Sequence, residues 1–426
     1  MQESGSPVLL EHLFRREYGR IVAWLAGLLG SAHLQLAEDA AQEAMLRAVQ
    51  TWSFQGVPPK PEAWLFRTAH NYAISSVRRS VVFNGKADTL VAALESGTQP
   101  VFDLDAEQSL RDDELRMVFM CCHPKLVPDV QVALSLKLVG GFSKEEIARI
   151  FFSEPATIAQ RLVRAKRLIR EQKLALTMPS SRQLEQRVNS VLKVIYLMFS
   201  GGYAAHAGED LIRVDVCLEA LRLGRLVASS SMGAPRVDAL VALMALQAAR
   251  LPARTDAAGD LVLLEEQDRT LWDDDLIALG FSYFDRSIAG DEISEWHVQA
   301  AIAATYAGAA SSTEIDWVSI LGHYDQLMEM TDSPVVALNR AVAVMKVHGA
   351  EASLAALAPL AGNKALQKYH LLPATQGHVL AALGRLEEAR AAFSAALECD
   401  CTLPEKRFLQ RQLAMIFPSR PPRRPA

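Results

Sequence analysis

The sequence predicts an all-α protein made of several helical domains. Apolar residues recur at spacings of three and four along almost the whole chain, while the strict alternation typical of a half-buried strand is scarce. Half of the 426 residues are hydrophobic and 22% are charged, which is the balance of a globular chain that can bury sizeable cores. Stretches rich in proline or acidic residues divide the helical pattern into blocks, and the length allows several domains of about 150 residues each.

The first helical block is predicted at residues 8–80 and holds three helices. Apolar residues at 13–25 recur at helical spacing, and further helices are expected at 37–51 and 62–79. Between the last two, the segment FQGVPPKP at residues 54–61 contains three prolines and a glycine. Proline in a helix interior removes a hydrogen bond and clashes with the preceding turn, so this segment must interrupt the helical pattern.

An acidic linker is predicted at residues 81–112, because large apolar residues are few there. Between residues 84 and 114, eight acidic residues face two basic ones, which gives a local charge of -6. A second helical block follows at 113–175, and a third, all-helical region extends over 182–418. The tail at 419–426 is rich in proline and arginine and is expected to be disordered.

Within the second block, residues 142–170 have the pattern of a helix-turn-helix. Ser143 can cap a helix over 144–152, with Glu146 in position to complete a capping box. Ser153 is expected to cap the next helix, which has a proline in its first turn.

The second helix of this pair separates an apolar face from a basic one. Its apolar stripe consists of Ile158, Leu162, Ala165 and Ile169, and its polar face is formed by Thr157, Gln160, Arg161, Arg164 and Arg167. Between residues 155 and 173, six basic residues outnumber one acidic residue, a local charge of +5. Such a face suits a recognition helix in the major groove, where Gln reads adenine, Arg reads guanine and further cations neutralise phosphates. On this segment alone, an ordinary amphipathic helix pair with a solvated basic face is the alternative.

Two more segments, together with the helix-turn-helix, resemble bacterial RNA polymerase sigma factors of the extracytoplasmic-function type. Residues 37–44 (AEDAAQEA) are similar to the acidic helix of sigma region 2, and residues 64–73 (WLFRTAHNYA) to the helix that melts and reads the -10 element. The helix-turn-helix is similar to region 4, which reads the -35 element. The resemblance therefore implies a region 2 domain at 8–80 and a region 4 domain at 113–175, and three motifs in the family's order are far more specific than one.

The resemblance also assigns polymerase binding. In the family the acidic helix of region 2 docks on the largest subunit of the core enzyme, which implies this role for Asp39, Gln42 and Glu43. These residues share one helix face at spacings of three and four, so they can meet a basic partner together. A plain solvated acidic face is the alternative.

The same resemblance implies a second role, binding of the -10 element, for Trp64, Arg67, Asn71, Arg78 and Arg79. Aromatic faces and cations suit single-stranded DNA, whose unstacked bases need stacking partners and whose phosphates need counter-charges. The loop at 54–61 corresponds to the loop that holds a flipped base in the family. Trp64 is equally a candidate core residue, and Ser75 stands where the family often has an acid.

The region after residue 182 resembles the extension of one sigma-factor subgroup, which contains tetratricopeptide-like helices. The family-like stretches are residues 118–124, 268–273 and 337–343. An internal repeat agrees with this, because Gly349 and Gly384 lie 35 residues apart, near the tetratricopeptide period of about 34. Stacked helix pairs commonly bind a peptide or protein, so a regulatory or partner-binding module is expected.

Two polar clusters invite other interpretations. They are the group Asp268, Arg269, Trp272 and Asp273, and the run Cys121, Cys122 and His123. The first could form an active site, but a helix-capping or helix-contact cluster is favoured. The second could bind a metal, but adjacent cysteines suit one tetrahedral ion poorly, so buried packing of region 4 is favoured.

The predicted function is that of a sigma factor that binds core RNA polymerase and promoter DNA, without catalysis, cofactor or metal of its own. A protein or peptide partner is expected for the C-terminal region. An enzyme in that region with a DNA-binding front end is the alternative, which the lack of a Gly-rich phosphate loop or a His-Glu-x-x-His motif disfavours. A pure helical scaffold would not need the three ordered motifs. No apolar run approaches the roughly 20 residues of a membrane span and the N-terminus lacks a secretory pattern, so a cytoplasmic protein is expected.

Overall fold

The structure, a computed structural model, describes residues 7–84, 104–151, 153–203, 212–367 and 369–416. These ranges contain helices and two isolated β-bridges, Thr255–Leu261 and Tyr369–Asp400, but no strand. The all-α class predicted from the spacing of apolar residues is confirmed.

The chain divides by its contacts into two compact units, Met1–Met198 and Phe199–Ala426. The N-terminal unit contains, in chain order, α1 (Pro7–Leu29), α2 (Leu34–Gln55), α3 (Pro61–Asn84), α4 (Leu104–Cys121), α5 (Pro128–Leu138), α6 (Lys144–Ile150), α7 (Pro155–Glu171) and most of α8 (Ser181–Tyr203).

Helix α1 is the centre of the N-terminal unit, because α2, α3, α4 and α5 all pack against it. Ile21 and Leu25 are fully buried, and the ring of Trp24 lies 5.4 Å from that of Phe66 in α3. Because the helix is surrounded, charged residues are buried in it as well: Glu17 is 0% exposed and accepts a hydrogen bond from Arg20 at 3.0 Å.

The predicted interruption between the second and third helices is confirmed. Helix α2 ends at Gln55, Gly56 has a φ of 79°, and α3 begins at Pro61. Glycine adopts this left-handed conformation without a steric penalty, and proline is tolerated in the first turn of a helix.

The linker predicted at 81–112 is wrong at both ends. Helix α3 continues to Asn84 and α4 begins at Leu104, while the predicted linker residues between them lie outside the described part of the chain. In α4, Asp113 and Glu114 are buried, and Arg116 donates a hydrogen bond to Asp113 at 2.7 Å. Within the predicted linker, Leu110 is 2% exposed, so the acidic composition concealed an apolar side by which α4 packs into the unit.

The predicted start of the C-terminal region, residue 182, also needs correction, since contacts assign the chain up to Met198 to the N-terminal unit. In the first half of α8, Val191 is fully buried and Arg187 donates to the backbone carbonyl of Phe119. Periodicity shows that a helix has an apolar face, but it does not show which domain covers that face.

The C-terminal unit is built from helices that each pack against the next one along the chain. They are α9 (Val214–Ala228), α10 (Pro235–Ala248), α11 (Asp274–Ser287), α12 (Glu295–Gly308), α13 (Trp317–Met330), α14 (Pro334–His348), α15 (Ala350–Leu357), α16 (Leu371–Ala382), α17 (Leu386–Glu398) and α18 (Leu403–Ile416). Helix α10 is buried on nearly all sides because α9, α11 and α12 pack around it.

The two glycines of the repeat predicted from the sequence lie in the turns of two successive helix pairs. Gly349 separates α14 from α15 with a φ of 86°, and Gly384 separates α16 from α17 with a φ of 71°. Both turns require the left-handed conformation that favours glycine. The assignment of these pairs as tetratricopeptide-like stays a prediction, and the predicted tail at 419–426 lies outside the described residues.

Candidate nucleic-acid interface

The helix-turn-helix is formed by α6 and α7, and its first cap is the predicted one. The backbone N–H of Glu146 donates to Ser143 Oγ at 3.1 Å, and that of Ser143 donates to Glu146 Oε2 at 2.7 Å. This reciprocal capping box satisfies two amide groups that the first helical turn leaves without partners.

The predicted cap of the second helix is wrong. Helix α7 begins at Pro155 with Glu154 in the N-cap position and without a side-chain cap. The backbone N–H of Ser153 instead donates to the carbonyl of Ala148 at 3.0 Å, which ties this serine to the end of α6. Ser153 is therefore one residue too early to cap α7.

Helix α7 separates its two faces as the sequence predicts. Its buried stripe is Ile158, Leu162, Ala165 and Ile169, and the exposed residues on the other side are Thr157, Gln160, Arg164 and Arg167. Arg161 differs, because its side chain is only half-exposed and its guanidinium lies 6.0 Å from the ring of Phe151. Arg167 donates to Glu171 at 2.7 Å on the helix surface, and this hydrogen bond raises the pKa of Arg167.

Lys166 is a functional candidate that the sequence analysis did not single out. It points away from the exposed face and forms an ion pair with the carboxylate of Glu38 in α2, and it donates to Gln35 Oε1 at 2.9 Å. Glu38 is 2% exposed, so this pair is largely removed from water. Because 128 residues separate the two partners, no local pattern could have indicated the contact.

The residues predicted to bind the -10 element occupy one face of α3. Arg67, Asn71 and Arg78 are exposed at spacings of four and seven, and Arg79 is exposed beside them. Trp64 begins this row and is half-buried, with its ring 5.4 Å from that of Trp52 in an edge-to-face arrangement. The half-burial of Trp64 is compatible with both a core position and a DNA contact, since one part of its ring packs and the other is accessible.

The acidic residues predicted to bind polymerase lie on the surface of α2. Gln42 is exposed, while Asp39 and Glu43 are half-exposed. Asp39 accepts a hydrogen bond from Gln35 at 2.9 Å, and Arg47 donates to Glu43 at 2.7 Å. Both contacts are surface pairs of the i, i+4 type, which contribute little and leave the carboxylates available to a partner.

Exposed apolar residues extend this surface beyond the acidic group. Leu46 and Val49 are each 53% exposed and continue the row that starts at Gln42, and Phe54 at the end of α2 is 90% exposed. Contiguous exposed apolar residues are typical of protein-binding surfaces. The helical spacing of Gln42, Leu46 and Val49, opposite the buried alanines of α2, is the signal that could have found them.

Comparisons with known proteins decide the family. A model of sigma-70 region 2 matches residues 13–81, which include α2 and most of α1 and α3. The ECF RNA polymerase sigma-E factor of Escherichia coli (strain K12) is 31% identical over 137 residues, which are 31% of this chain and 70% of that protein. The corresponding factor of Salmonella typhimurium (strain LT2) is 30% identical over the same length. The chain belongs to the extracytoplasmic-function family of RNA polymerase sigma factors.

This sigma factor carries a long C-terminal extension, as the resemblance predicted. An uncharacterized protein of Rhizobium meliloti (strain 1021) is 37% identical over 382 residues, which cover 89% of the sigma factor and 90% of that relative. A family of unknown function, DUF6596, matches residues 187–288. No solved structure matches the sigma factor. Within the ranges that the structure describes, no helix is both long and apolar enough to cross a membrane.

The polar cluster in the extension of the sigma factor is used in structural contacts, as favoured from the sequence. Asp268 accepts a hydrogen bond from the backbone N–H of Thr270 at 2.9 Å, and Asp273 caps α11 by accepting from Leu276 at 2.9 Å. Hydrogen bonds from the Thr270 side chain and backbone lower the pKa of Asp268.

The arginine and the tryptophan of this cluster have structural contacts as well. Arg269 donates to the backbone carbonyls of Ala309 at 2.6 Å and Tyr306 at 3.0 Å, at the C-terminal end of α12. Its guanidinium lies 4.4 Å from the ring of the buried Trp272. A cation at this end of a helix binds carbonyl groups that have no intrahelical partner.

The adjacent cysteines at the end of α4 are packing residues, as expected. Cys121 and Cys122 are fully buried, and Cys122 Sγ lies 3.8 Å from Ser135 Oγ. Burial raises the pKa of Cys122 to about 12 and that of Cys121 well above its ordinary value. Neutral thiols in such surroundings behave as small apolar groups.

Proposed function

We propose that this sigma factor docks on core RNA polymerase through α2, reads the -10 element through α3 and the -35 element through α7, and is regulated by its C-terminal unit. The observation that carries the proposal is the division of α7 into a buried apolar stripe and an exposed row of Thr157, Gln160, Arg164 and Arg167. This division allows one face to hold the helix in its domain while the other enters the major groove. The sigma factor acts in the cytoplasm, together with the polymerase.

Polymerase docking on α2 is supported by the chemistry of its exposed side. Carboxylates at Asp39 and Glu43 provide charge for a basic partner, and Leu46 and Val49 provide apolar surface beside them. An apolar centre with a charged rim is the usual composition of a protein interface. The charges steer the encounter, and burial of the apolar residues contributes to the affinity.

Binding of the -10 element on α3 is supported by an accessible aromatic edge at one end of a polar and basic row. Trp64 can stack with an unpaired base, Asn71 can bond to a base edge, and Arg67, Arg78 and Arg79 can neutralise phosphates. Phe54 at the end of α2, which is 90% exposed, offers a second stacking surface.

Binding of the -35 element on α7 uses the two residue types that read purines in the major groove. Gln160 can pair with adenine and Arg164 with guanine, while Thr157 and Arg167 can contact the backbone. Arg161, which is half-exposed beside Phe151, is better placed to support the helix surface than to reach a base.

Regulation by the C-terminal unit is supported by a cavity of about 410 Å³ among α12, α13, α14, α16 and α18. Its aromatic lining consists of Tyr306, Trp317, His370, His378 and Phe408. Mostly apolar cavities of roughly 300–1,000 Å³ with a few polar groups commonly bind ligands or side chains of a partner. Here the polar groups include the ion pair of Lys346 with Glu265 at 2.5 Å, and we propose a protein or peptide partner for this unit.

The enzyme alternative loses its strongest candidate residues, because Asp268, Arg269 and Asp273 are engaged in helix caps and backbone contacts. We therefore propose binding, and not catalysis, as the role of the C-terminal unit.

The test of the proposed function is in vitro transcription with full-length protein, core polymerase and a genomic promoter library. Initiation at a defined promoter set, lost on replacing Arg164 and Gln160 by alanine, is the expected result. A protein that neither binds core enzyme nor initiates at any promoter would contradict it.

A further inference from the structure

The cavity of about 410 Å³ in the C-terminal unit, called the aromatic cavity below, is lined by whole faces of helices. Helix α16 contributes Leu371, Ala374 and His378, and α18 contributes Glu405 and Leu409. Spacings of three, four and seven residues place each group on one side of its helix. The shape of the cavity is therefore set by the packing of regular helices.

Aromatic rings form its walls. The rings of Tyr306 and Trp317 lie 5.6 Å apart and nearly perpendicular, with an angle of 79° between their planes. The imidazole of His378 lies 5.1 Å from the ring of the fully buried Phe393 and 5.8 Å from that of Phe408. Walls of this kind offer faces and edges to another aromatic ring, which gains attraction beyond the burial of its area.

The charged groups in the lining compensate each other. Lys346 pairs with Glu265 at 2.5 Å, and His370 Nε2 lies 3.3 Å from Glu405 Oε1. Glu405 Oε2 also accepts from the backbone N–H and the hydroxyl of Thr402, at 2.8 and 2.7 Å. Burial opposes ionisation of Glu405, but His370 and Thr402 hold its pKa below the ordinary value. A charged occupant would lose its hydration without gaining an unused counter-charge, so the lining favours a neutral occupant.

His378 offers hydrogen bonds that the protein does not use. Among the residues that the structure describes, its recorded contacts are with the rings of Phe393 and Phe408, and none is a hydrogen bond. Burial lowers the pKa of His378, which keeps the ring neutral at pH 7. A neutral imidazole has one donor and one acceptor nitrogen, and a hydroxyl group can bond to either.

We propose that the aromatic cavity binds a neutral aromatic group that carries a hydroxyl, with its ring against Tyr306, Trp317 and Phe408 and its hydroxyl bonded to His378. The volume is near the lower end of the roughly 300–1,000 Å³ of ligand sites, which suits a group of one or two rings. This inference rests on the proposed function, because it names the chemistry by which the C-terminal unit recognises its partner. The tyrosine side chain of a peptide and a free phenolic molecule are the two sources of that chemistry.

The first experiment compares three probes by equilibrium dialysis against the full-length protein. 2-Naphthol should bind about tenfold more tightly than naphthalene, because its hydroxyl adds one hydrogen bond. It should also bind at least about tenfold more tightly than 2-naphthoate, whose carboxylate must be dehydrated. Equal affinities for 2-naphthol and naphthalene, or a preference for 2-naphthoate, would overturn the proposal.

A substitution that fills the aromatic cavity locates the binding. Val342 in α14 lines the cavity, so Val342→Trp should abolish binding of 2-naphthol. Val335→Trp is the matched control, since Val335 lies on the same helix, is 39% exposed and is not part of the lining. Circular dichroism verifies that each variant is folded. Wild-type affinity in a folded Val342→Trp protein would place the binding elsewhere and contradict the proposal.

Removal of the imidazole tests the hydrogen bond and decides the outcome even if Val342→Trp does not fold. His378→Leu should reduce the affinity for 2-naphthol to that for naphthalene and leave the affinity for naphthalene unchanged. His348→Leu, at an exposed position at the end of α14, should change neither. If His378→Leu still distinguishes 2-naphthol from naphthalene tenfold, the assigned hydrogen bond is wrong.

Competition with bound 2-naphthol distinguishes the two sources. If the source is a peptide, N-acetyltyrosinamide should displace 2-naphthol about as well as 4-methylphenol does. If it is a free molecule, only 4-methylphenol should compete, because the cavity then excludes the peptide backbone. Failure of both compounds to compete would overturn the proposal.

The outcome for the aromatic cavity is separable from that for the proposed function. A protein that initiates transcription at promoters but binds none of these phenols overturns the inference about the cavity alone. A protein that binds them through His378, but neither binds core polymerase nor initiates, contradicts the proposed function instead.

Discussion

The two units of the sigma factor use their conspicuous polar residues in opposite ways. In the N-terminal unit, Arg67, Asn71 and Arg164 stand exposed on helix faces whose other sides are buried. In the C-terminal unit, Asp268 and Arg269 donate or accept hydrogen bonds within the fold. Both sets are conspicuous polar residues in the sequence. Only the accessibility of their polar atoms distinguishes residues that can contact a partner from residues that hold the helices together.

The largest effect is expected from reversing the charge of the face of α2 that is proposed to dock on the polymerase. Asp39→Lys combined with Glu43→Lys should weaken core binding by several kcal/mol, because like charges then oppose each other across the interface. Affinity for core enzyme, measured by fluorescence anisotropy, checks this. The matched control is Glu351→Lys with Glu387→Lys, two exposed acids of the C-terminal unit. Unchanged core affinity in the first double variant would make the acidic face of α2 a solvated surface.

A smaller effect, on the stability of the fold, is expected from a substitution in the C-terminal extension. Arg269→Met should lower the free energy of unfolding by about 2–4 kcal/mol, because two charge-assisted hydrogen bonds to backbone carbonyls are lost. Calorimetry on full-length protein measures it. Arg385→Met, which removes only an exposed ion pair with Glu388, should lower the free energy of unfolding much less than Arg269→Met. If Arg269→Met leaves stability intact but abolishes an activity of the extension, the contrast between the two units fails.

A comparable or smaller effect, on discrimination between DNA sequences, is expected from substitutions in α7. Arg164→Ala should reduce discrimination at one base pair of the -35 element by about 1–3 kcal/mol. Arg161→Ala should change discrimination less, because its side chain is half-buried beside Phe151. Competition binding with single-base promoter variants measures both. A larger loss for Arg161 than for Arg164 would reverse their assignment.

The smallest effect is expected at the helix caps. Ser143→Ala should destabilise the N-terminal unit by about 1 kcal/mol, because it removes the side-chain half of a capping box. Ser153→Ala should be nearly neutral, since α7 has no side-chain cap. Chemical denaturation separates the two, and a greater loss for Ser153 would contradict the observed caps.

Much of the helical pattern could be predicted because it depends on neighbours three and four residues apart. The buried stripe of α7, the Ser143 cap and the break after Gln55 are all local features of this kind. The errors arose where burial depends on remote contacts. The first turns of α4 were predicted to be a solvated linker, although Leu110 in this segment is 2% exposed.

The residues of the candidate site also differ in whether local spacing could predict their surroundings. Exposure of Gln160 and Arg164 follows from the position of the apolar stripe on their own helix. The different setting of Arg161 depends on Phe151 in the turn before α7, which spacing alone does not reveal. The apolar residues Leu46 and Val49 were within reach of a periodicity argument and were overlooked because the acidic residues dominate that helix.

The sequence by itself determined the all-helical class, the faces of the helices and, through three ordered motifs, the sigma-factor family. Those properties depend on short-range spacing and on residue types. Only the tertiary structure decided which charges meet, because Lys166 and Glu38 are 128 residues apart and become partners through the packing of α7 near α2. A lysine that looks like one more DNA-binding cation is held in a buried ion pair, since burial and partner choice are properties of the assembled fold and not of the local chain.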